Sequence, residues 1–293
     1  MTNETLLTNE LLKSSFSKAQ KLPVMHEVGS QLIALKGQED IELRDLVDLI
    51  DSDPVISAKI ISYAASPFFG YQGKLESVQE AVHHVLGMDM SMNVALSMAV
   101  GNSFNGPLTG PIGAMSIWNH SVYCAVLSQN IASKITNQSD LNPKTAYLYG
   151  LLHNIGFLAL GHMFSEKYTT FNKTVKAKNE IPLRVLEKKV LGVTHTSAGS
   201  LLMKSWSMPK EFSIIMKTHH NSEYTGPHQV YSHISYIANA LLKSVDVGDA
   251  TDVALPAHLL EEYNLTETQL QDMLKIVVQW QENIDHLARQ LAA

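Results

Sequence analysis

Apolar positions recur along the chain at three- and four-residue spacings, as in Leu32 and Leu35, in Leu46, Leu49 and Ile50, and in Ile56, Ile60, Tyr63 and Ala64. That period belongs to one face of an α-helix. No strand-like alternation flanks an Asn-Gly or Asp-Gly turn. The punctuation agrees with helices. Asp53-Pro54 and Asn142-Pro143 each read as an N-cap followed by proline in the first turn, and Ser77-Val78-Gln79-Glu80 reads as a capping box. Pro209 opens a helix through Ile214 and Ile215 to His219. A second capping box, Thr266-Glu267-Thr268-Gln269, opens a last helix with Leu270, Leu274, Val277, Ile284 and Leu287 on one apolar face. That face is expected to pack back onto the same chain, with a partner as the alternative. The pattern predicts an all-α, multi-helix bundle.

Two stretches interrupt the helical pattern: Gly101 to Gly113, with four Gly and two Pro, and the loose run from Asp246 to Pro256. They divide the chain into segments 1–106, 107–245 and 246–293, and no repeat of solenoid length is visible. With 45% hydrophobic and 17% charged residues over 293 positions, the chain has ample material for a core and is not disordered. A net charge of -6 argues against a nucleic-acid binder. The basic run Lys167, Lys173, Lys176, Lys178, Arg184, Lys188 and Lys189, interrupted by Glu166, Glu180 and Glu187, reads as a solvated helix face. Met1-Thr2-Asn3-Glu4 has no secretory pattern. The apolar stretch Ala146 to Phe164 carries His153, Asn154 and His162, which suit a buried helix better than a membrane span. A soluble cytoplasmic protein is expected.

Thirteen histidines against one cysteine direct any metal or proton chemistry to imidazole and carboxylate. Cys124, among Val122, Tyr123, Ala125 and Val126, reads as core packing. Met88, Met90, Met92 and Met98 read the same way, and His26, His83, His84, His228, His233, His258 and His286 as ordinary packing or surface residues. Gly101 to Gly106 has the spacing of a phosphate loop, but Pro107 stands where its Lys is needed. G-x-S-x-G, H-E-x-x-H and C-x-x-C are absent. What remains is Gly150-Leu151-Leu152-His153-Asn154-Ile155-Gly156. On the residues alone, His153-Asn154 in this apolar setting is first a satisfied core pair and second a pair of ligands.

The same stretch resembles the G-L-L-H-D-I-G signature of HD-type metal-dependent phosphohydrolases, with Asn154 where those proteins have Asp. Trp118-Asn119-His120-Ser121 is similar to their upstream first histidine. Thr194-His195 with Gly199, Trp206-Ser207-Met208-Pro209 and His219-His220 follow in order, and Ile237-Ala238-Asn239-Ala240 sits where the last metal-binding Asp is found. In the N-terminal half, Leu22-Pro23, Ile50-Asp51-Ser52-Asp53-Pro54, Ala64-Ala65-Ser66-Pro67-Phe68-Phe69-Gly70, Val78-Gln79-Glu80-Ala81 and Leu86-Gly87 resemble the HDOD module of bacterial signalling proteins. The resemblance runs from about Lys18 to about Asn239 and leaves residues beyond Asp246 uncovered.

The resemblance implies an N-terminal helical part packed on an HD-like helical core, with a C-terminal helical extension. It implies a metal site at His120, His153, Asn154, His219 and Asn239, with His195 and His220 as further cleft residues. Amides at 154 and 239 replace two anionic ligands by weak neutral ones. The expected centre is therefore vestigial, requiring no cofactor yet able to take Zn, Ni or Fe weakly through imidazole. The implied role is a binding module for a signalling protein or a small phosphate-bearing ligand, without catalysis. A divergent metal-dependent phosphohydrolase acting on a nucleotide or other phosphoester is the alternative.

Overall fold

The structure is a computed structural model describing residues 22–38, 40–106, 109–178, 180–248 and 254–292. Met1-Thr2-Asn3-Glu4, Lys18, Pro107 and residues 249–253 of the second break lie outside the described residues. Every regular element among the described residues is helical. The N-terminal part holds α1 (Glu27–Lys36), α2 (Leu43–Asp51), α3 (Pro54–Ala64), α4 (Val78–Ala81) and α5 (Gly87–Gly101). Next come α6 (Ala114–Lys134), α7 (Pro143–Leu152), α8 (Ile155–Met163), α9 (Ser165–Ala177) and α10 (Leu183–Val190). The remainder is α11 (His195–Ser205), α12 (Lys210–Thr218), α13 (Gln229–Lys243), α14 (Ala257–Glu262), α15 (Glu267–Gln279) and α16 (Gln281–Ala292). No helix among these residues is long and apolar enough to cross a membrane.

The predicted caps form where the side-chain chemistry demands them. Asp53 accepts from the N–H groups of Val55 and Ile56, Asn142 from those of Lys144 and Thr145, and Thr266 and Gln269 close a reciprocal box. Each such cap is worth about 1 kcal/mol. Ser77 accepts from the Glu80 N–H, but the Glu80 carboxylate turns outward to the N–H of Glu76, so only half a capping box forms. Residues 82–86 then wind as a π-helical turn before α5, with His83 and His84 exposed.

Two expected helices are each two. The stretch from Ala146 to Phe164 breaks after Leu152, so His153 and Asn154 sit at a helix junction and not inside a continuous helix. The last amphipathic run breaks at Trp280, whose φ of -91° and ψ of 19° leave helical geometry. A straight helix cannot keep Leu270 and Leu287 on one bundle, because its apolar stripe drifts around the axis. The break re-aims Ile284, Leu287 and Leu291 onto α6 and α5, so both apolar faces are buried by the chain itself.

The long helix α6 is the axis of the molecule, with α7, α13 and α16 packed around it. One apolar core runs from Val28 to Leu291, continuous across both interruptions of the helical pattern. Polar pins cross it. The Tyr63 and Tyr147 hydroxyls join α3 to α7 in the interior, and burial pushes the Tyr147 phenol up to about 12. The Trp206 indole N–H donates to the carbonyl of Pro23 at 2.8 Å, which ties the Leu22-Pro23 motif to the Trp206-Ser207-Met208-Pro209 motif.

Helices α8 and α11 approach closely at Gly156. A Cβ added to Gly156 would fall 1.9 Å from the backbone oxygen of His195 and 2.8 Å from the nitrogen of Gly199. Neither atom can retreat without moving a helix, so Gly156→Ala is expected to destabilise by about 2–4 kcal/mol, in the upper range of overpacking. Gly37→Ala, whose nearest neighbour would be 3.5 Å away, is expected to be nearly neutral. Urea titrations of the two variants check this.

A second expectation concerns pH. His233 on α13 is buried and shares a 2.7 Å hydrogen bond with the hydroxyl of Tyr263, which anchors the C-terminal segment. Burial lowers the His233 pKa, so the folded state holds it neutral. Its contribution is present above the unfolded value of about 6.5 and is lost as pH falls through the folded value. Melting temperature is therefore expected to drop between pH 7.5 and 5, with a shallower drop in His233→Gln. An equal slope in both proteins would contradict it.

Candidate imidazole cluster and adjoining cleft

Four of the five candidate histidines are delivered by helix ends. His153 follows the last residue of α7, His195 opens α11, and His219 and His220 follow α12, while His120 projects from the middle of α6. They form one chain of ring contacts. His120 and His153 approach with their Nε2 atoms 3.2 Å apart, His153 and His219 meet edge to face at 5.0 Å between centroids, and His195 and His219 bring their Nε2 atoms to 3.4 Å. His220 meets His219 at 4.3 Å and His195 at 5.2 Å between centroids. Among the described residues, the His195, His219 and His220 side chains form a group whose candidate ligand atoms all lie within 4.8 Å of one another.

The partner of Nδ1 selects the tautomer of three rings. His153 Nδ1 lies 2.8 Å from the carbonyl of Gly150, and His219 Nδ1 lies 3.2 Å from that of Ile215. A carbonyl only accepts, so both Nδ1 atoms carry hydrogen and each neutral ring turns an Nε2 lone pair into the cluster. His195 Nδ1–H donates to Glu187 Oε1 at 2.8 Å. Neutral His195 and His219 would thus oppose two lone pairs at 3.4 Å, an arrangement that calls for a shared proton or a cation. Pinning Nδ1–H to a carbonyl or carboxylate is also how proteins orient metal-binding imidazoles.

Glu187 is the residue that sequence reasoning missed. It was grouped with the acids interrupting a solvated basic face, yet it is 0% exposed. Both carboxylate oxygens are engaged, the second accepting the backbone N–H of His195 at 2.7 Å. A signal was present: Leu183, Leu186 and Val190 set an apolar stripe on α10, and position 187 falls on it. Phe157 was not singled out either. Its ring stacks on His195 with centroids 4.1 Å apart and an interplanar angle of 20°.

Beside the cluster lies a cleft of about 880 Å³. His120 and Asn154 line it, as does Phe157, whereas His153, His195, His219 and His220 do not. Phe157 thus touches both the cleft and the His195 ring. Above His120, Gly248 adopts a φ of 100°, and a Cβ there would fall 2.3 Å from His120 Cε1. Lys176 and Lys178 of the basic run line the cleft instead of facing bulk solvent alone. Asn239 is not in the chain of ring contacts. It is buried in α13, and neither amide atom has a hydrogen-bond partner among the described residues. One turn further on, Lys243 reaches the cleft wall.

The donor set suits a borderline transition metal. Tetrahedral Zn–N bonds of about 2.05 Å place two nitrogens about 3.4 Å apart, close to the observed 3.2 and 3.4 Å. A hard cation wants oxygen ligands, and the two family positions that would supply carboxylate are Asn154 and Asn239.

Comparison with known proteins places this arrangement. A Marinobacter aquaeolei VT8 structure, named as a candidate signal transduction protein, matches with TM-score 0.87 and 27% identity over 98% of this chain and 66% of that one. A Geobacter sulfurreducens HDOD domain protein of unknown function matches with TM-score 0.73 and 20% identity, covering 98% and 96% of the two chains. A Shewanella amazonensis SB2B structure, named as a candidate metal-dependent phosphohydrolase, matches with TM-score 0.63 and 23% identity over 98% of this chain and all of its own. An uncharacterized Treponema pallidum (strain Nichols) protein is 22% identical over 268 residues, and this chain spans about half its length, 50%. The HDOD domain profile matches residues 22–222, more than half of the sequence and every motif from Leu22-Pro23 to His219-His220, so the chain belongs to the HDOD family.

Proposed function

We propose that this chain is a signal-transduction module that works by binding a partner or small ligand and does not hydrolyse phosphoesters. The observation that carries the reading is the partition of the site. Of the five clustered histidines only His120 lines the cleft, beside the amide Asn154, while Phe157 lines the cleft and stacks on His195. A phosphohydrolase must bring its phosphoryl group to the metal that polarises it. Here a phosphoryl group in the cleft meets no carboxylate at 154, and Glu187 is held by His195 through both oxygens. The name of the Marinobacter relative supports a signalling role. A transition metal held by the imidazoles is part of the same reading, with Glu187 orienting His195. The second reading, a divergent metal-dependent phosphohydrolase, draws support from His120, which both contacts His153 and lines the cleft.

Two measurements test it. Purified protein is expected to release no phosphate from nucleotides or cyclic dinucleotides in Zn, Ni, Fe or Mn buffers. Metal-dependent release that disappears in His153→Ala would sink the proposal. Metal retention, read by elemental analysis, is expected to rise in Asn154→Asp, because an anionic oxygen joins the set and Asp serves equally as the N-cap of α8.

Glu187→Gln is expected to act twice. It presents an amide NH₂ to one of two buried donors and costs about 2–3 kcal/mol of stability. It also loosens the orientation of His195, lowering metal affinity by about 10–100-fold. Denaturant titration and metal competition read the two effects separately, and an unchanged metal affinity would remove Glu187 from the site.

A further inference from the structure

The cleft has the size and chemistry of a small-molecule site, and its charge is unspent. Its volume of about 880 Å³ lies within the range of ligand pockets, roughly 300–1,000 Å³. One wall is apolar, built around Met115, Phe157, Val175 and Ile181. Four cations face it from three elements and a helix end: Lys176 in α9, Lys178 just after it, Lys243 in α13 and Arg289 in α16. No side-chain hydrogen bond or ion pair joins any of the four to a described residue. The carboxylates in the lining are Glu180, Asp246 and Asp285, and Asp285 already accepts a hydrogen bond from the amide of Asn119. A chain with a net charge of -6 thus gathers around one cavity four cations whose side chains pair with no described residue. Lys176, Lys178 and Arg289 are exposed and Lys243 is half-buried, so the cations stand at an open cleft, where like charges focus a field that attracts an anion.

We propose that this cleft binds a phosphate-bearing small molecule with an apolar or aromatic body, of nucleotide size, and that Arg289 in the C-terminal helix is its anion anchor. The proposal rests on the reading that the module works by binding. The phosphate group lies toward Arg289, Lys243 and Lys178, whose charges give charge-assisted hydrogen bonds, bidentate in the case of Arg. The flat body lies against the wall formed by Met115 and Phe157. Arg289 and Lys243 fall outside residues 22–222, so the anion-recognising side of the cleft is supplied by sequence beyond the family match.

Calorimetric titration of the full chain with adenosine 5′-monophosphate, adenosine and inorganic phosphate tests this, with phosphate release followed in the same samples. The nucleotide is expected to bind more tightly than either half, and more weakly at high salt. Arg289→Gln and Lys178→Gln, from different elements of the cleft, are each expected to weaken nucleotide binding about 10-fold. Lys204→Gln, the same charge change outside the cleft, is expected to alter it less than 2-fold. Absence of nucleotide binding, or equal affinity in the cleft variants and the Lys204 control, overturns the proposal. Should Arg289→Gln fail to fold, Lys178→Gln decides alone. Phosphate release would overturn the non-hydrolytic reading and leave the cleft assignment standing; absence of both binding and release would do the reverse.

Discussion

A carboxylate with no solvent exposure must have its charge or proton met by fixed donors, and here the donors belong to one residue. Glu187 takes both the backbone N–H and the Nδ1–H of His195, which locks the first turn of α11 and the ring orientation together. Other features of the site depend on that lock. With Nδ1 committed, Nε2 of His195 faces His219; with the ring plane set, Phe157 stacks on it; with the backbone set, its carbonyl leaves room for glycine alone at 156. Three helices, α8, α10 and α11, therefore meet on a single imidazole.

This dependence explains why a short motif with one altered residue can keep its fold. Asn154 stands where the resembled HD signature has Asp, yet it still occupies the N-cap position of α8, without a side-chain capping hydrogen bond. Gly156 is needed by the helix crossing whatever the chemistry of position 154. The geometry of an HD-like centre is thus maintained by packing and by the Glu187–His195 pair, while the capacity to hold a hard cation resides in side chains that can change without disturbing the crossing.

The helical class, the caps at Asp53, Asn142 and Thr266, and the five histidines that meet were legible in the sequence, because each rests on local chemistry or on an ordered motif. The breaks at His153–Asn154 and Trp280 were not. Apolar residues continue through both, and only the shape of the surrounding bundle decides where a long stripe must turn. Glu187 was hidden by its neighbours, since Lys188 and Lys189 make the segment look solvated while the apolar stripe of α10 carries position 187 inward. Phe157 reads as one more core aromatic until its stacking partner is known. Lys176 and Lys178 are exposed, as a basic run on a surface helix is expected to be, and they also line the cleft, which the run alone does not reveal.

The C-terminal extension then acquires a physical reason to be where it is. The faces of α15 and α16 are buried by the chain, so α16 is part of the same core as α6 and cannot move independently of it. Arg289 and Asp285 of this helix line the cleft together with Lys176, Lys178 and His120. An occupant spanning the cleft touches elements from inside and outside the family match at once. Its binding energy is accordingly felt in α6, the helix that carries His120 and against which α7, α13 and α16 all pack. On the proposed reading, an occupant of the cleft would report its binding through this shared core without chemistry at the imidazoles.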